Sequence, residues 1–189
     1  MTGSIRQQVI ISGVGGQGVL FVTRLLAEAA INKGLAVFTS ETHGMAQRGG
    51  TVLSHLKVGD YSSPLIRPAQ ADGLLALRAE NLTPHGAFLK NDGWVIVNSQ
   101  KNVKNDTGMP LDAIDADTLA QEIENPKAVN LIVLGFALAM AEKKSENRNT
   151  LFCSLAEIKA ALEGRFDKNQ KMLRASLKAL EAGYNATDR

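Results

Sequence analysis

The sequence has few cysteines and few aromatic residues. Cys153 is its one cysteine, and aromatic side chains make up 5% of the 189 residues. A single thiol excludes an internal disulfide and the groups of cysteines that hold iron–sulfur clusters. A chain of this length buries a core without disulfides, and its hydrophobic content of 44% supplies that core. We therefore expect one domain over residues 1–189, a buried Cys153 and a reducing, cytoplasmic location.

The charge is balanced and the apolar runs are short. The sequence has 21 basic and 19 acidic residues, a formal charge of +2, and its cations form no stripe with interleaved aromatics. Nucleic acid is therefore not an expected partner. The longest apolar run, residues 131–141, is too short to span a bilayer as a helix, and residues 1–8 lack the apolar core of a signal peptide. We expect no membrane association.

A glycine-rich turn separates the first strand pattern, residues 9–11, from a helix pattern over residues 19–30. Gly13, Gly15 and Gly18 match the spacing G-x-G-x-x-G. Glycine permits positive φ, close approach of the backbone to a phosphate and close packing of the helix on the strand. The free amides at a helix start hold an anion. The turn predicts a ligand with a pyrophosphate group. A tight turn without a ligand is the alternative.

A polar loop follows the second strand pattern, residues 35–40, and reads Glu41-Thr42-His43-Gly44-Met45-Ala46-Gln47-Arg48-Gly49-Gly50. Arg48 can donate two parallel hydrogen bonds to a phosphate or carboxylate, and His43 can donate or accept near neutral pH. An ion pair between Arg48 and Glu41 that only fixes the loop is equally compatible with these residues. Glu41 lies too far past the glycines for the ribose-binding carboxylate of a dinucleotide-binding domain.

Together these motifs resemble the gamma subunit, or gamma domain, of the 2-oxoacid:ferredoxin oxidoreductases. The form Gly44-Met45-Ala46-Gln47-Arg48-Gly49-Gly50, with Ser63-Pro64-Leu65-Ile66, is most similar to the small beta subunit of indolepyruvate:ferredoxin oxidoreductase. The resemblance extends from Val9 to about Phe166. It implies that no residue here is catalytic or holds a metal, and that the cofactor-binding residues are Gly13, Gly15, Gly16, Gln17, Gly18, Glu41, Thr42, His43, Gly44, Met45, Arg48, Gly49 and Gly50.

The resemblance further implies a subunit of a coenzyme A-dependent enzyme that oxidatively decarboxylates a 2-oxoacid, here an arylpyruvate such as indolepyruvate, and passes the electrons to ferredoxin. A large catalytic subunit is expected to carry thiamine diphosphate, magnesium and the iron–sulfur clusters, and this chain none of them. The isolated chain is expected to be inactive, with coenzyme A contacted by the two loops. A homodimer is compatible with the small residues of the last helix pattern.

Two other functions stay open. One is a free-standing Rossmann dehydrogenase that binds a dinucleotide through Gly13, Gly15, Gly18 and Glu41, although no downstream lysine, tyrosine or histidine sits in a recognisable hydride-transfer motif. The other is a purely structural assembly module, in which the loops bind only the large subunit.

Alternating strand and helix patterns predict an α/β fold, Rossmann-like and three-layered, with a mainly parallel sheet and a helical C-terminal third. Residues 51–58 alternate in polarity, which predicts a half-exposed strand with His55 pointing away from the core. His85 is expected in a surface turn. Asn98 is expected in a plain turn, with a contact to the ligand or to a neighbouring subunit as the alternative.

The last helix pattern covers residues 168–182. Met172, Ala175, Ala179 and Ala182 share one side of it, a face of mostly small residues that could pack within the chain or against another subunit. Gly183 is expected to end the helix.

Overall fold

The computed structural model describes residues 5–43, 50–100, 103, 108–144 and 150–188. Within these residues the strands are β1 Gln7–Val14, β2 Val37–His43, β3 Thr51–Val58, β4 Ala71–Ala76, β5 Leu89–Asn98 and β6 Leu111–Ile114. The α-helices are α1 Val19–Asn32, α2 Leu82–Gly86, α3 Ala116–Glu122, α4 Val129–Lys143, α5 Leu155–Arg165 and α6 Gln170–Tyr184. The predicted α/β class and the helical C-terminal third are confirmed.

The strands form one sheet in the order β2-β3-β1-β4-β5-β6. The pairs β1/β4, β4/β5 and β5/β6 are parallel. β3 lies between β1 and β2 and is antiparallel to both. The sheet is therefore mainly parallel, as predicted, with one strand of opposite direction inserted beside the first.

The main core lies on one face of the sheet and includes side chains of α1, α3, α4, α5 and α6. At its centre is α4, whose residues from Asn130 to Ala139 are all buried, as expected for a helix that is apolar on every side. Among the described residues no helix is long and apolar enough to cross a membrane.

Helix α6 continues through Gly183 to Tyr184, so the prediction that Gly183 ends it is wrong. Of the residues predicted to share one side of α6, Ala179 is buried while Met172 is 48% exposed, and the buried side also includes Leu173 and Leu180. A Cβ atom at Gly183 would overlap the carbonyl group of Ile132 in α4. The glycine therefore permits a close helix crossing and does not mark a helix end.

A thinner layer covers the opposite face. Helix α2, Phe88 and Ile66 pack there against a second cluster, which includes Ile10 and Leu74. Ile66 belongs to residues 59–70, which connect β3 to β4 and which we call the connecting segment. Because this layer covers the strands on their second side, β3 is buried over residues 53–58.

Two histidines lie under this layer, which contradicts both predictions of surface positions. His55 is 3% exposed and His85 is 9% exposed. The backbone amide of Ile66 donates to His55 Nδ1 at 3.3 Å, and His85 Nδ1 lies 2.6 Å from Ser12 Oγ. Burial lowers the pKa of both imidazoles, and for His55 the positive charge of Lys57 lowers it further.

Candidate functional site

The two glycine-containing loops meet at one edge of the sheet. β1 and β2 end at the same edge because each runs antiparallel to β3. Val14 pairs with Thr51 at this edge, and the amide of Gly15 donates to the carbonyl oxygen of Gly50 at 3.0 Å. We call this region, formed by residues 13–18, Gly50 and the start of α1, the glycine edge.

The turn of the glycine edge is held by its own hydrogen bonds. The amide of Gln17 donates to the carbonyl oxygen of Val14 at 3.1 Å, and Gln17 Oε1 accepts from the Val14 amide at 2.9 Å. The side-chain oxygen of Gln17 is therefore engaged inside the turn. Gly16 and Gly18 have φ values of 91° and 79°, a region that favours glycine.

The glycines of this turn serve different purposes. A Cβ atom at Gly13 would lie 2.8 Å from Val19 Cγ2, so this glycine lets α1 pack closely on β1. A Cβ atom at Gly18 would overlap the side chain of Asn130. Gly16, in contrast, is exposed and has no heavy atom within 4 Å of its Cβ position. The space beside Gly16 is open to a ligand.

Helix α1 begins at the glycine edge without a side-chain cap, since its N-cap is Gly18. The first amides of a helix have no partner within the helix, and their partial positive charge attracts anions. An exposed glycine turn beside an uncapped helix start can receive a phosphate oxygen through backbone N–H groups.

Arg78 lies beside the glycine edge and adds a cation there. It was not among the site residues predicted from the sequence. The amide of Leu77 donates to the carbonyl oxygen of Ser12 at 2.7 Å, so Arg78 follows β4 next to the end of β1. Its side chain is exposed. The signal in the sequence was its position directly after the apolar residues of β4, because the carboxyl ends of parallel strands meet at one edge.

The second loop lies partly outside the described residues. Glu41 and Thr42 are exposed on β2, and Glu41 pairs in register with Ser54. Of His43 the backbone is described, as the last residue of β2. The predictions for Gly44, Met45, Arg48 and Gly49 lie outside the described residues, so an anion contact of Arg48 and its pairing with Glu41 both stay predictions.

The position of β3 argues against a dinucleotide site of the Rossmann kind. In that fold the strand with the ribose-binding carboxylate lies directly beside the first strand. Here β3 separates β2 from β1, which sets the two strands roughly 10 Å apart. Glu41 is therefore displaced from the turn by the width of one extra strand.

The side chain of Asn98 makes three hydrogen bonds that hold neighbouring elements together. Its side-chain Nδ2 donates to Asp117 Oδ2 at 2.8 Å and to the carbonyl oxygen of Leu77 at 3.3 Å. Its Oδ1 accepts from the Ala116 amide at 2.9 Å. The carboxamide therefore joins the ends of β4 and β5 to the start of α3, in place of the plain turn or the ligand contact considered from the sequence.

The lone thiol is no ligand candidate in this fold. Cys153 is buried in the main core, as predicted, and burial raises the pKa of its thiol well above the usual range, which keeps it protonated. Within the described ranges no group of three histidine, cysteine or carboxylate side chains is placed to hold a metal ion.

Comparison with known proteins identifies the family. The family model described as pyruvate ferredoxin/flavodoxin oxidoreductase matches residues 8–186. The chain belongs to this family. It is 31% identical to the indolepyruvate oxidoreductase subunit IorB of Archaeoglobus fulgidus, over 96% of this chain and 95% of that protein.

Two solved structures share the fold. The keto/oxoacid ferredoxin oxidoreductase gamma subunit from Geobacter sulfurreducens has a TM-score of 0.73 and 25% identity, over 95% of this chain and 96% of that one. The pyruvate oxidoreductase subunit PORC from Thermotoga maritima has a TM-score of 0.74 and 26% identity, with the same coverage of both chains. The predicted place among the gamma-type subunits of these oxidoreductases is confirmed.

Proposed function

We propose that this chain is the small subunit of a coenzyme A-dependent indolepyruvate:ferredoxin oxidoreductase and that its glycine edge contacts the diphosphate of coenzyme A. In this reaction the 2-oxoacid loses carbon dioxide, its electrons pass to ferredoxin and the acyl group leaves on the sulfur of coenzyme A. The arylpyruvate substrate is inferred from the likeness to IorB of Archaeoglobus fulgidus.

The hydrogen bond from Gly15 to Gly50 is the observation that supports this proposal most directly. It joins two loops that are far apart in sequence beside the start of a helix without a side-chain cap. Backbone N–H groups in such a place bind the oxygens of a phosphate. A diphosphate carries negative charge that the exposed Arg78 can neutralise in part.

The fit to coenzyme A rests on residues with separate roles. Gly15 and Gly16 would admit the diphosphate against the backbone, since both are exposed. The first turn of α1 would supply amide donors, and Arg78 a charge-assisted hydrogen bond. Arg48 and His43 are proposed to complete the contact from the second loop.

The reaction centre is proposed to lie on a large partner subunit. Coenzyme A brings the thiol that accepts the acyl group, and thiamine diphosphate with iron–sulfur clusters supplies the decarboxylation and electron transfer. The one cysteine of this chain, Cys153, is buried and protonated, so it does not fit the role of a ligand to an iron–sulfur cluster. What this chain contributes is the position of coenzyme A relative to the partner.

The first experiment is co-expression with the large subunit of the same genome and purification of the complex. Reduction of a viologen dye is then measured with indolepyruvate, pyruvate and 2-oxoglutarate, with and without coenzyme A. We expect coenzyme A-dependent activity that requires both chains and is highest with indolepyruvate. Equal activity of the large subunit alone would refute the subunit role, and a preference for pyruvate or 2-oxoglutarate would refute the substrate.

An Arg78→Gln variant separates a coenzyme A contact from pure assembly. We expect its KM for coenzyme A to rise several-fold while kcat at saturating coenzyme A stays near that of the wild type, because one contact to a bound phosphate is lost. The matched control is Arg174→Gln, an exposed arginine on α6. An unchanged KM together with a weaker complex would favour the assembly module.

A further inference from the structure

A second group of cations lies at the opposite edge of the sheet from the glycine edge. It surrounds Lys57 of β3, which pairs in register with Gln8 at the start of β1. The glycine edge begins after Val14, and the distance along the strand from Gln8 to Val14 is roughly 20 Å. The two regions are therefore separate sites.

Lys57 and Arg6 share one aromatic ring. Lys57 Nζ lies 5.1 Å from the centroid of the Tyr61 ring, and Arg6 Cζ lies 4.4 Å from the same centroid. Arg6 also makes a side-chain hydrogen bond with Tyr61. A cation over a tyrosine face is attracted by the ring, so both positive groups lie against Tyr61.

The charges around Lys57 oppose its own. Lys57 is 7% exposed as a whole residue, its ammonium nitrogen is not among the fully enclosed polar atoms, and no hydrogen bond or ion pair is seen between this nitrogen and another described residue. Burial lowers its pKa, and the positive charges of Arg67 and Arg6 lower it further. A partly enclosed cation whose near neighbours are cations is stabilised when an anion joins it.

The nearby carboxylates do not compensate Lys57. Asp72 accepts from the Gln8 amide at 2.6 Å and from Lys90 Nζ at 2.5 Å. Asp60, which precedes Tyr61, is exposed and forms no ion pair with Lys57 in the part of the chain that is described. The adjoining residues 1–4 contain no carboxylate side chain.

We propose that Lys57, Arg6 and Arg67 form a binding site for one oxyanion group, a phosphate or a carboxylate, with the Tyr61 ring as one wall. The two guanidinium groups can bind such a group through paired N–H donors. Burial and the negative charge of Asp72 raise the pKa of the Tyr61 hydroxyl, so this hydroxyl stays protonated and can donate as well. The exposed Arg67 leaves the site accessible from solvent.

The connecting segment supplies part of this site. Tyr61 and Arg67 lie on either side of Ile66, whose side chain is buried in the second cluster and whose amide donates to His55. These contacts fix the segment on the sheet, and from this segment the positive charge of Arg67 acts on Lys57. An anion bound here would therefore fasten the segment to β1 and β3.

The site is tested on the full chain by thermal unfolding in sodium phosphate, sodium acetate and sodium chloride of equal ionic strength and pH. The variants are Arg67→Gln, which changes an exposed residue, and Lys57→Met, which keeps the length of the buried stem. The matched control is Lys171→Gln, an exposed lysine on α6. Phosphate also stabilises folded proteins by exclusion from their surface, so the signal is the difference between wild type and variant.

We expect phosphate to raise the unfolding midpoint of the wild type and of Lys171→Gln more than it raises the midpoint of either site variant. The expected difference is roughly 3 °C, which is the stabilisation given by a ligand present at about ten times its dissociation constant. If acetate gives the same extra rise in the wild type, the group that the site binds is a carboxylate, either of a small ligand or of an acidic side chain. An excess in phosphate alone would identify a phosphate group. Equal rises in the wild type and both site variants, in both salts, would overturn the proposal.

The chloride measurements give an independent readout. Lys57→Met removes a charge that Arg6 and Arg67 repel, so we expect its midpoint in chloride to lie above that of the wild type, while Lys171→Gln leaves the midpoint unchanged. A lower midpoint for Lys57→Met in chloride, with no loss of the phosphate effect, would show that Lys57 is already compensated within the chain.

Discussion

Gly183 of α6 lies against the carbonyl group of Ile132 in α4, with no room between them for a methyl group. On the same contact, a Cβ atom at Gly135 of α4 would overlap the carbonyl oxygen of Leu180. Gly183 thus faces α4 and Gly135 faces α6, and together they set the distance between the two helices. Because α4 is the central helix of the main core, this crossing supports the whole helical layer.

The first prediction is that Gly183→Ala destabilises the protein. An added methyl group must push α6 away from α4, and such overpacking costs about 1–3 kcal/mol. In a chain of this length each kcal/mol lowers the unfolding midpoint by about 2–4 °C. Thermal unfolding checks the result.

Gly164→Ala is the matched control, because Gly164 also lies in a helix but has no heavy atom within 4 Å of its Cβ position. Alanine favours helix by up to ~1 kcal/mol over glycine, so this variant is expected to unfold at a higher temperature. A Gly183→Ala variant as stable as Gly164→Ala would contradict the close crossing.

The second prediction concerns Gly18 and Asn130. Gly18→Ala forces a methyl group into positive φ, which costs about 1–2 kcal/mol, and also into the side chain of Asn130. Gly34→Ala has the same backbone cost but no steric overlap, since Gly34 has φ 73° and open space at its Cβ position. We expect Gly18→Ala to be the less stable variant in urea unfolding.

A double-mutant cycle isolates the contact between the two side chains. In an Asn130→Ala background the extra cost of Gly18→Ala over Gly34→Ala should largely vanish, because the obstructing carboxamide is gone. An extra cost that is the same in both backgrounds would mean that Asn130 moves aside freely.

The third prediction is a loss of stability in mild acid. The folded-state pKa values of His55 and His85 are lowered from the usual 6.5, so below that pH the unfolded chain binds protons that the folded chain does not. Stability is therefore fully present above about pH 6.5 and falls as the pH decreases towards the folded-state pKa values. Urea unfolding at pH 7.5, 6.5 and 5.5 measures this dependence.

Variants of the two histidines assign the effect. His55→Gln and His85→Gln should each unfold with a weaker dependence on pH than the wild type, and the double variant with the weakest. Carboxylates add an acid dependence that is common to all four proteins, so the differences between them carry the result. Equal dependence in all four would show that neither imidazole resists protonation in the fold.

The fourth prediction concerns Asn98. Asn98→Ala removes the acceptor of the Ala116 amide and the donor to Asp117, which leaves buried polar groups unpaired at a cost of about 1–3 kcal/mol. Asn98→Asp should cost more, because its carboxylate would face that of Asp117. Asn32→Ala, at the exposed end of α1, is expected to change stability little. Urea unfolding ranks the three variants.

Local sequence patterns were sufficient for the element types at the start of the chain and for the turn of the glycine edge. The strand, glycine turn and helix at the start of the chain follow from neighbouring residues, and Gly13 packs α1 on β1 as the spacing indicates. The burial of α4 likewise follows from an apolar pattern on all its sides. These features depend on contacts within one element or between consecutive elements, which the order of residues determines.

The direction of β3 and the burial of its histidine depend on distant contacts. The alternation of polarity in residues 51–58 describes a strand with one polar side, and it says nothing about what covers that side. In the fold α2 and the connecting segment cover it, so His55 and His85 become buried. The insertion of β3 between β1 and β2 likewise depends on pairing across the sheet.

The sequence by itself determined the α/β class, the glycine turn and the resemblance to the gamma-type subunits, because these follow from local patterns and motifs. Tertiary structure alone decided that Gly15 and Gly50 meet, that Arg78 follows β4 at their edge and that Arg6 and Lys57 both lie against the Tyr61 ring at the other. Each of these sets combines residues from separate segments of the chain. Their proximity follows from strand order and direction, which no local pattern encodes.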